Sequence, residues 1–287
     1  MAMLVVAIVA MMVTGVFHRQ SIMLRNLENA TASSQVRWLM AGAVDWIGVI
    51  LQEDARASAT DHLGEPWAVP LAQTRLNDDE NDPAWLSGVI HDGQSRINLR
   101  NLVGLEEPVE AEVAVLMRLL TLVGENERLA EPIAEIVQLR FADADDPGLT
   151  VRLLPASFDD LEFTDTRLRG AAEKIRPYVI LLPVPTPVNA NTAPAEVLAA
   201  RFDGLSLVNA QRLISSRDRA AFKDLTDVVS RLGDVSLTAP AGTVVVASRF
   251  FVLEGSIEYR RARLQQRALL KREAGRVDVV WQREVRI

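Results

Sequence analysis

No cysteine occurs in the 287 residues. Disulfides, thiolate zinc sites and a cysteine nucleophile are therefore excluded. Histidine is nearly as scarce. His18, His62 and His91 are scattered, and no H-E-x-x-H zinc spacing exists. G-x-S-x-G elbows, P-loops and dinucleotide fingerprints are also missing, so the chain is not expected to be an enzyme. Net positive charge is lacking too: the formal balance is −7. An acidic chain gains nothing overall from phosphate backbones, which disfavours nucleic acid as a partner. What remains is ordinary globular composition, 49% hydrophobic and 24% charged, long enough to bury a real core.

Charge is absent from Met1 to Phe17, and the first ionisable groups are His18 and Arg19. A membrane-spanning helix needs about 20 apolar residues, with a lower limit of about 17. No basic n-region precedes the run and no small-residue cleavage site follows it, so a secretory signal peptide does not fit. Proline is absent from Ser21 to Ala57 as well, and Val36, Leu39, Ala43, Trp46, Ile47, Ile50 and Leu51 recur at helical spacing. The pattern predicts one continuous rod of roughly 55 residues, about 80 Å long. Its first half is apolar all round and its second half one-sided, the form of a stem carrying a head. Arg19 and Arg25 follow the span, against the usual retention of positive charge in the cytoplasm. A basic leader preceding Met1 and removed from it is the expectation that resolves this.

Beyond the stem, Leu63–Gly64–Glu65–Pro66–Trp67 starts a loop. Alternating runs at Trp85–Ile90 and Ser95–Leu99 flank Asp92–Gly93, which predicts a hairpin. Val109 to Val123, ended by Gly124, and Leu129 to Phe141 read as helices, and Asp143 to Asp165 as loop. A short helix is expected from Ala171. Two more run from Pro194 to Phe202, capped by Asn191 or Thr192, and from Leu207 to Arg217. Strands are expected at Thr243–Ala247, Arg249–Glu258, Ala262–Lys271 and Arg276–Ile287, with a bend at Gly255 and a turn at Ala274–Gly275. The 258–272 stretch also reads as helix by composition. This order implies an α+β fold: a long N-terminal stem helix packed on an antiparallel sheet, with a large all-α insertion.

Two segments suggest modules. Val188–Asn189–Ala190–Asn191–Thr192–Ala193–Pro194 leads into a helix pair whose turn, Asp203–Gly204–Leu205–Ser206, resembles a helix-hairpin-helix. Ser206 replaces the second glycine of a phosphate-gripping turn and Asp203 repels, so packing is the preferred role and DNA contact the rival. Ile97–Asn98–Leu99–Arg100–Asn101–Leu102 is a fainter echo, readable as an internal repeat or as an unrelated cap. Carboxylates cluster at Asp78, Asp79, Glu80 and Asp82 and at Asp143, Asp145 and Asp146 without EF-hand spacing.

Together the Met1–Phe17 run, Leu63–Ala68, Ile97–Leu102, Val188–Pro194 and Ser248–Arg249–Phe250–Phe251 resemble the K-type minor pseudopilins of type II secretion systems, over nearly the whole chain. The resemblance implies a division into a stem at 1–57 with a membrane part at 1–20, a head formed by 58–100 and 241–287, and an insert of two SAM-like modules at 101–240. It implies a single-pass protein of the bacterial inner membrane with its head in the periplasm. It implies peptidase cleavage before Met1 and methylation of the new N-terminus. Met1, Leu4, Val5, Val6, Ile8, Val9, Val13, Val16 and Phe17 then form the membrane and assembly surface. Major pseudopilins carry a glutamate where this chain has Val5, and a subunit with none above it does without the acid. The implied partners are I-type and J-type minor pseudopilins in a tip complex, the H-type and major pseudopilins, the inner-membrane assembly platform and the prepilin peptidase. The implied role is to prime the pseudopilus that exports folded proteins across the outer membrane. Some relatives hold calcium, for which Asp143, Asp145 and Asp146 are the candidates here, although the Trp and leading acid of the usual segment are replaced.

Overall fold

The computed structural model describes residues 2–80, 82–105, 107, 109–142, 154–232 and 242–285, and at 2, 5–8 and 142 the backbone alone. Helix α1 runs unbroken from Ala2 to Ala57, 56 residues, or about 84 Å at 1.5 Å per residue. Nothing in it interrupts the i→i−4 ladder, and Arg56 in the last turn complements the negative end of the helix dipole.

Strand β1 (Leu71–Arg75) and strand β2 (Ala84–Asp92) follow, then the two-residue strand β3 (Ile97–Asn98). Helices α2 (Glu110–Leu122), α3 (Ala130–Ala142) and α4 (Thr166–Ile175) come next, and short strands β4 (Val179–Ile180) and β5 (Val188–Asn189) precede α5 (Ala195–Arg201), α6 (Leu207–Arg217) and α7 (Leu225–Ser230). Short β6 (Val244–Val245) leads into long strands β7 (Phe250–Tyr259), β8 (Ala262–Glu273) and β9 (Arg276–Glu284). The main sheet has the order β1-β2-β7-β8-β9, antiparallel throughout. First and last segments of the chain thus share one sheet, and the helices are inserted between its second and third strands.

Side chains alternate across this sheet. On the face toward α1, Leu86, Ile90, Phe251, Leu253, Ile257, Leu264, Ala268 and Leu270 meet Ala32, Val36, Met40, Ala43, Val44, Ile47 and Leu51. Phe250, Val252 and Leu269 face the other way and meet Leu182. One end of β7 is therefore covered on both sides, which explains the unbroken apolar run Phe250–Leu253. The helices close around a separate core of Leu116, Leu119, Ile133, Val137, Leu198, Leu213 and their neighbours.

Several expectations are corrected. Asp92–Gly93 makes no hairpin. β2 pairs with β1 and β7, and the chain then turns through a short 3-10 helix, Gly93–Ser95, whose Gln94 N–H donates to Asp92 Oδ1 at 2.7 Å. Gly93 is required for close approach: a Cβ there would lie 3.0 Å from the Phe250 carbonyl oxygen. Gly255 does not bend β7. It stays paired in register with Gly88 and Gln266, and the Met40 side chain lies over it. The β7–β8 turn is instead Arg260–Arg261, with Arg260 at φ 54°, bounded by the Tyr259–Ala262 pair. Ala274 and Gly275 do form the β8–β9 turn, both with positive φ (49° and 75°), the geometry that fits the right-handed strand twist. The short helix expected from Ala171 begins earlier, at Thr166, because Asp165 caps it by accepting from the Arg167 and Leu168 N–H groups. Trp46 is half-exposed; the stripe of α1 that packs includes Met40 and Val44 instead. β1 had no counterpart among the expected strands.

Candidate assembly site

The stem has two regimes. From Ala32 onward every fourth or third residue is buried against the sheet. Before it, the described apolar side chains are bare: Met3, Leu4, Val9, Met11, Met12, Val13, Val16, Phe17, Ile22, Met23, Leu24 and Leu27 are all exposed. Its hydroxyl side chains bond back onto the helix. The hydroxyls of Thr14, Ser21 and Thr31 donate to the carbonyls of Ala10, Phe17 and Leu27 at 2.8–2.9 Å. Among the described residues no helix is long and apolar enough to cross a membrane. What α1 presents is an exposed apolar surface, far larger than the scattered apolar residues of an ordinary monomer and typical of an interaction surface.

Where the stem ends, a buried polar joint fastens stem, sheet and helical insert. Asp61 follows α1. Its carboxylate accepts from Arg272 Nη2 at 2.5 and 2.6 Å and from the Ser248 N–H at 2.6 Å. Arg272, on β8, also donates to Asp54 of α1 (3.1 Å) and to the Leu51 carbonyl (3.1 Å), and its guanidinium lies 4.8 Å from the Phe251 ring centre. Beside it Trp67 meets Phe251 edge-on at 5.2 Å, and the Trp67 indole N–H donates to Glu65 Oε2 at 2.7 Å. The second half of the joint centres on Asp92 at the end of β2. It accepts from Gln94 N–H, Thr192 Oγ1 (2.6 Å), Ser248 Oγ (2.6 Å) and Asn189 Nδ2 (2.9 Å). Burial pushes the Asp92 carboxyl up to about 6 against these hydrogen bonds. Burial, with the neighbouring Glu65 charge, does the same to Asp54. One oxygen each of Asp54, Asp61 and Glu65 lies within 4.8 Å of the others, the spacing of a cation site. Arg272 already supplies the positive charge there.

The two Asn-led segments have the same construction. Ile97–Asn98 pairs in parallel with Val179–Ile180, and Val188–Asn189 pairs in parallel with Val244–Val245. In each, the asparagine Oδ1 accepts from the N–H two residues on, Arg100 or Asn191. Asn98 also donates to the Val184 carbonyl and Thr186 hydroxyl and accepts from the Leu182 N–H, whereas Asn191 closes on both backbone groups of Phe222. Neither Asn191 nor Thr192 caps α5, because both side chains are spent in these longer-range bonds.

Gly204 has φ +79°, as the hairpin turn requires. Its basic neighbours do not present a phosphate grip. Arg217 is buried and donates to the Ala190 and Ala193 carbonyls at 2.6 and 2.5 Å; Arg219 bonds the Ser215 carbonyl; Asp203 lies 3.8 Å from Arg118. The turn is a packing element. Asp82 pairs with Arg260 and Asp79 accepts from the Asp82 N–H, so that acidic stretch is a capped loop. Asp143, Asp145 and Asp146 lie outside the described residues, as do Met1 and the side chains of Val5, Val6 and Ile8. The joint residues Asp61, Asp92, Ser248 and Arg272 were not found as a set by sequence reasoning. The available signal was an acid next to a glycine that a turn reading already accounted for.

The family model for type II secretion system (T2SS) protein K matches residues 188–247, the second Asn-led segment with its helices. Curated relatives described as type II secretion system protein K are 27% identical in Pseudomonas aeruginosa, covering 90% of this chain and 84% of the relative, and 25% identical in Klebsiella pneumoniae, covering 99% and 94%. The fold matches a crystal structure of the GspK-GspI-GspJ complex from the enterotoxigenic Escherichia coli type 2 secretion system, with a TM-score of 0.71, 17% identity, and coverage of 91% of this chain and 100% of that one. The bare stem, the head fastened to it through a buried joint, and matches that extend nearly end to end point the same way: over almost its whole length the chain is similar to type II secretion system protein K.

Proposed function

We propose that the chain caps the pseudopilus, anchored through residues 1–20 as a single pass in the bacterial inner membrane with its head in the periplasm. In this reading 1–57 is the stem, 58–100 with 241–287 the pilin-like head, and 101–240 the insert of two SAM-like modules. The insert crowns the head and blocks a further subunit from stacking above it. The partners are the I-type and J-type minor pseudopilins, as in the solved complex that shares this fold, followed by the H-type and major pseudopilins and the inner-membrane platform. Prepilin peptidase would release Met1 for N-methylation. The contribution is buried helix area and one-sided geometry rather than chemistry.

The carrying observation is α1 itself, bare in its first half and seated on the sheet in its second. A helix that is apolar all round needs lipid or a bundle, and Leu4, Val9, Val13, Val16 and Phe17 would pass from one to the other during assembly. Val5 lacks the carboxylate that a subunit inside the filament would use to hold a neighbour's amine.

The test is complementation of a strain deleted for its own K-type subunit. Val9→Asp with Val13→Asp should abolish secretion and membrane retention while the purified head still captures I-type and J-type heads. Undiminished secretion by the double variant would overturn the reading.

A further inference from the structure

On the sheet face turned away from the stem lies a cavity of about 90 Å³. It is bounded by the link after β2, by β8 and β9, and by the Ser157–Asp159 segment and the turn after α4. A single water needs only about 10–15 Å³, so the space admits something larger. Its polar lining consists mainly of donors. Arg96 is partly buried, and among the described residues its guanidinium makes no hydrogen bond or ion pair. Arg267 has Glu254 Oε1 3.1 Å from its Nε, but off the N–H axis, so that N–H is buried without a hydrogen bond. The Trp281 indole N–H is likewise buried and unmet. The carboxylate in the lining, Asp159, is engaged by Arg176 and lies 3.8 Å from Arg267.

Buried donors left unmet are costly, and two guanidiniums held near each other in a half-dry site repel. Burial and the Arg267 charge accordingly push the Arg96 guanidinium below its ordinary range, while Glu254 opposes this. An acceptor with negative charge relieves both costs at once. Water relieves only the first.

We propose that this cavity is a binding site for a small free oxyanion of the phosphate or sulfate class, received by Arg96, Arg267 and the Trp281 N–H. Such an ion would tie the link after β2 to β8 and β9 under the loop that leads into α4. It would therefore stiffen the attachment of the helical insert to the sheet. This inference is independent of the pseudopilus reading.

The test is isothermal titration of the full chain in detergent with inorganic phosphate at fixed ionic strength. Expected are saturable one-site binding, displacement by sulfate but not by chloride, and about tenfold weaker binding for Arg96→Gln, the effect of one lost charge-assisted bond. Absence of saturable binding by the wild type, or equal binding by Arg96→Gln, would overturn it. Should circular dichroism show Arg96→Gln unfolded, Trp281→Phe decides. Severalfold weaker binding supports the site, and unchanged affinity sinks it.

Discussion

Arg272 Nη2 lies 2.5 and 2.6 Å from the two carboxylate oxygens of Asp61, across 211 residues of sequence. The same guanidinium reaches Asp54 on the stem. One side chain near the end of the chain thus fastens the base of the stem helix to the sheet. Removing it leaves two enclosed carboxylates without their cation. Arg272→Met is expected to destabilise the fold by about 3–5 kcal/mol, the range for breaking a buried pair from one side. Arg272→Lys, which keeps the charge but cannot span Asp54 and Asp61 together, should lose less. Urea unfolding of the three proteins checks the order, and a wild-type value for Arg272→Met would contradict it.

Asp92 predicts an unusual pH response. Its carboxyl is raised to about 6 in the folded chain from an ordinary 3.8. A raised acid binds its proton more tightly when folded. Its stabilising contribution is therefore complete below about pH 4 and is lost as pH rises through 6. Asp54, also raised to about 6, acts in the same direction. His91 is lowered by burial and acts oppositely, losing its contribution as pH falls below 6.5. Asp61, Glu65, His62 and Arg272 face the same joint. The clean quantity is the difference between wild type and Asp92→Asn, which cannot titrate. From pH 7.5 to 4.5 that difference should move in favour of the wild type by at most about 3 kcal/mol, the equivalent of the shift. A flat difference would refute the assignment.

Periodic features were legible in the sequence, and long-range ones were not. The stem, α6 at Leu207–Arg217 and the strand at Ala262–Glu273 follow from apolar spacing and turn residues that act locally. The last was readable as helix by composition, and its partners β7 and β9 settle it as strand. Gly93 and Gly255 were misread because a glycine signals either a turn or a close approach, and only the packed neighbour tells which. Trp46 follows the helical stripe but lies at its margin, where one residue of phase decides burial. The joint was invisible for a different reason. Asp61, Asp92, Asn189, Ser248 and Arg272 come from five separated segments, and no local pattern marks polar groups that meet only after folding.

The two halves of α1 separate in mutagenesis. Met40 is 1% exposed and packs over Gly255, whereas Met11 is 74% exposed. Met40→Ala should destabilise the head by about 2–5 kcal/mol, the cost of a buried large-to-small change. Met11→Ala should leave denaturant stability within about 0.5 kcal/mol, as for a surface position. Met11→Asp should then fail in assembly while its head melts normally. Equal melting of the Met40→Ala and Met11→Ala proteins would mean that the stem does not seat on the sheet as described.

The paired asparagines carry the last prediction. Asn98 is 1% exposed and uses both ends of its amide, with Nδ2 donating to the Val184 carbonyl and the Thr186 hydroxyl and Oδ1 accepting from the Arg100 and Leu182 N–H groups. Asn98→Asp preserves shape and acceptors but replaces the donor with a buried charge aimed at a carbonyl. Asn98→Ala removes all of these bonds and leaves their partners unmet. Each unsatisfied buried group costs about 1–3 kcal/mol, so both variants should be destabilised by more than 2 kcal/mol. Asp should be the worse above its own raised titration point and should recover toward Ala at low pH. Because Asn189 holds the corresponding place in the second segment and accepts in the same way from Asn191 N–H, Asn189→Ala should show a loss of similar size. Hydrogen exchange would then place the opening around Asn191 and Ser248 for Asn189 and around Ile180–Thr186 for Asn98. Exchange that rises uniformly through both segments would show that the two are one cooperative unit rather than a repeat.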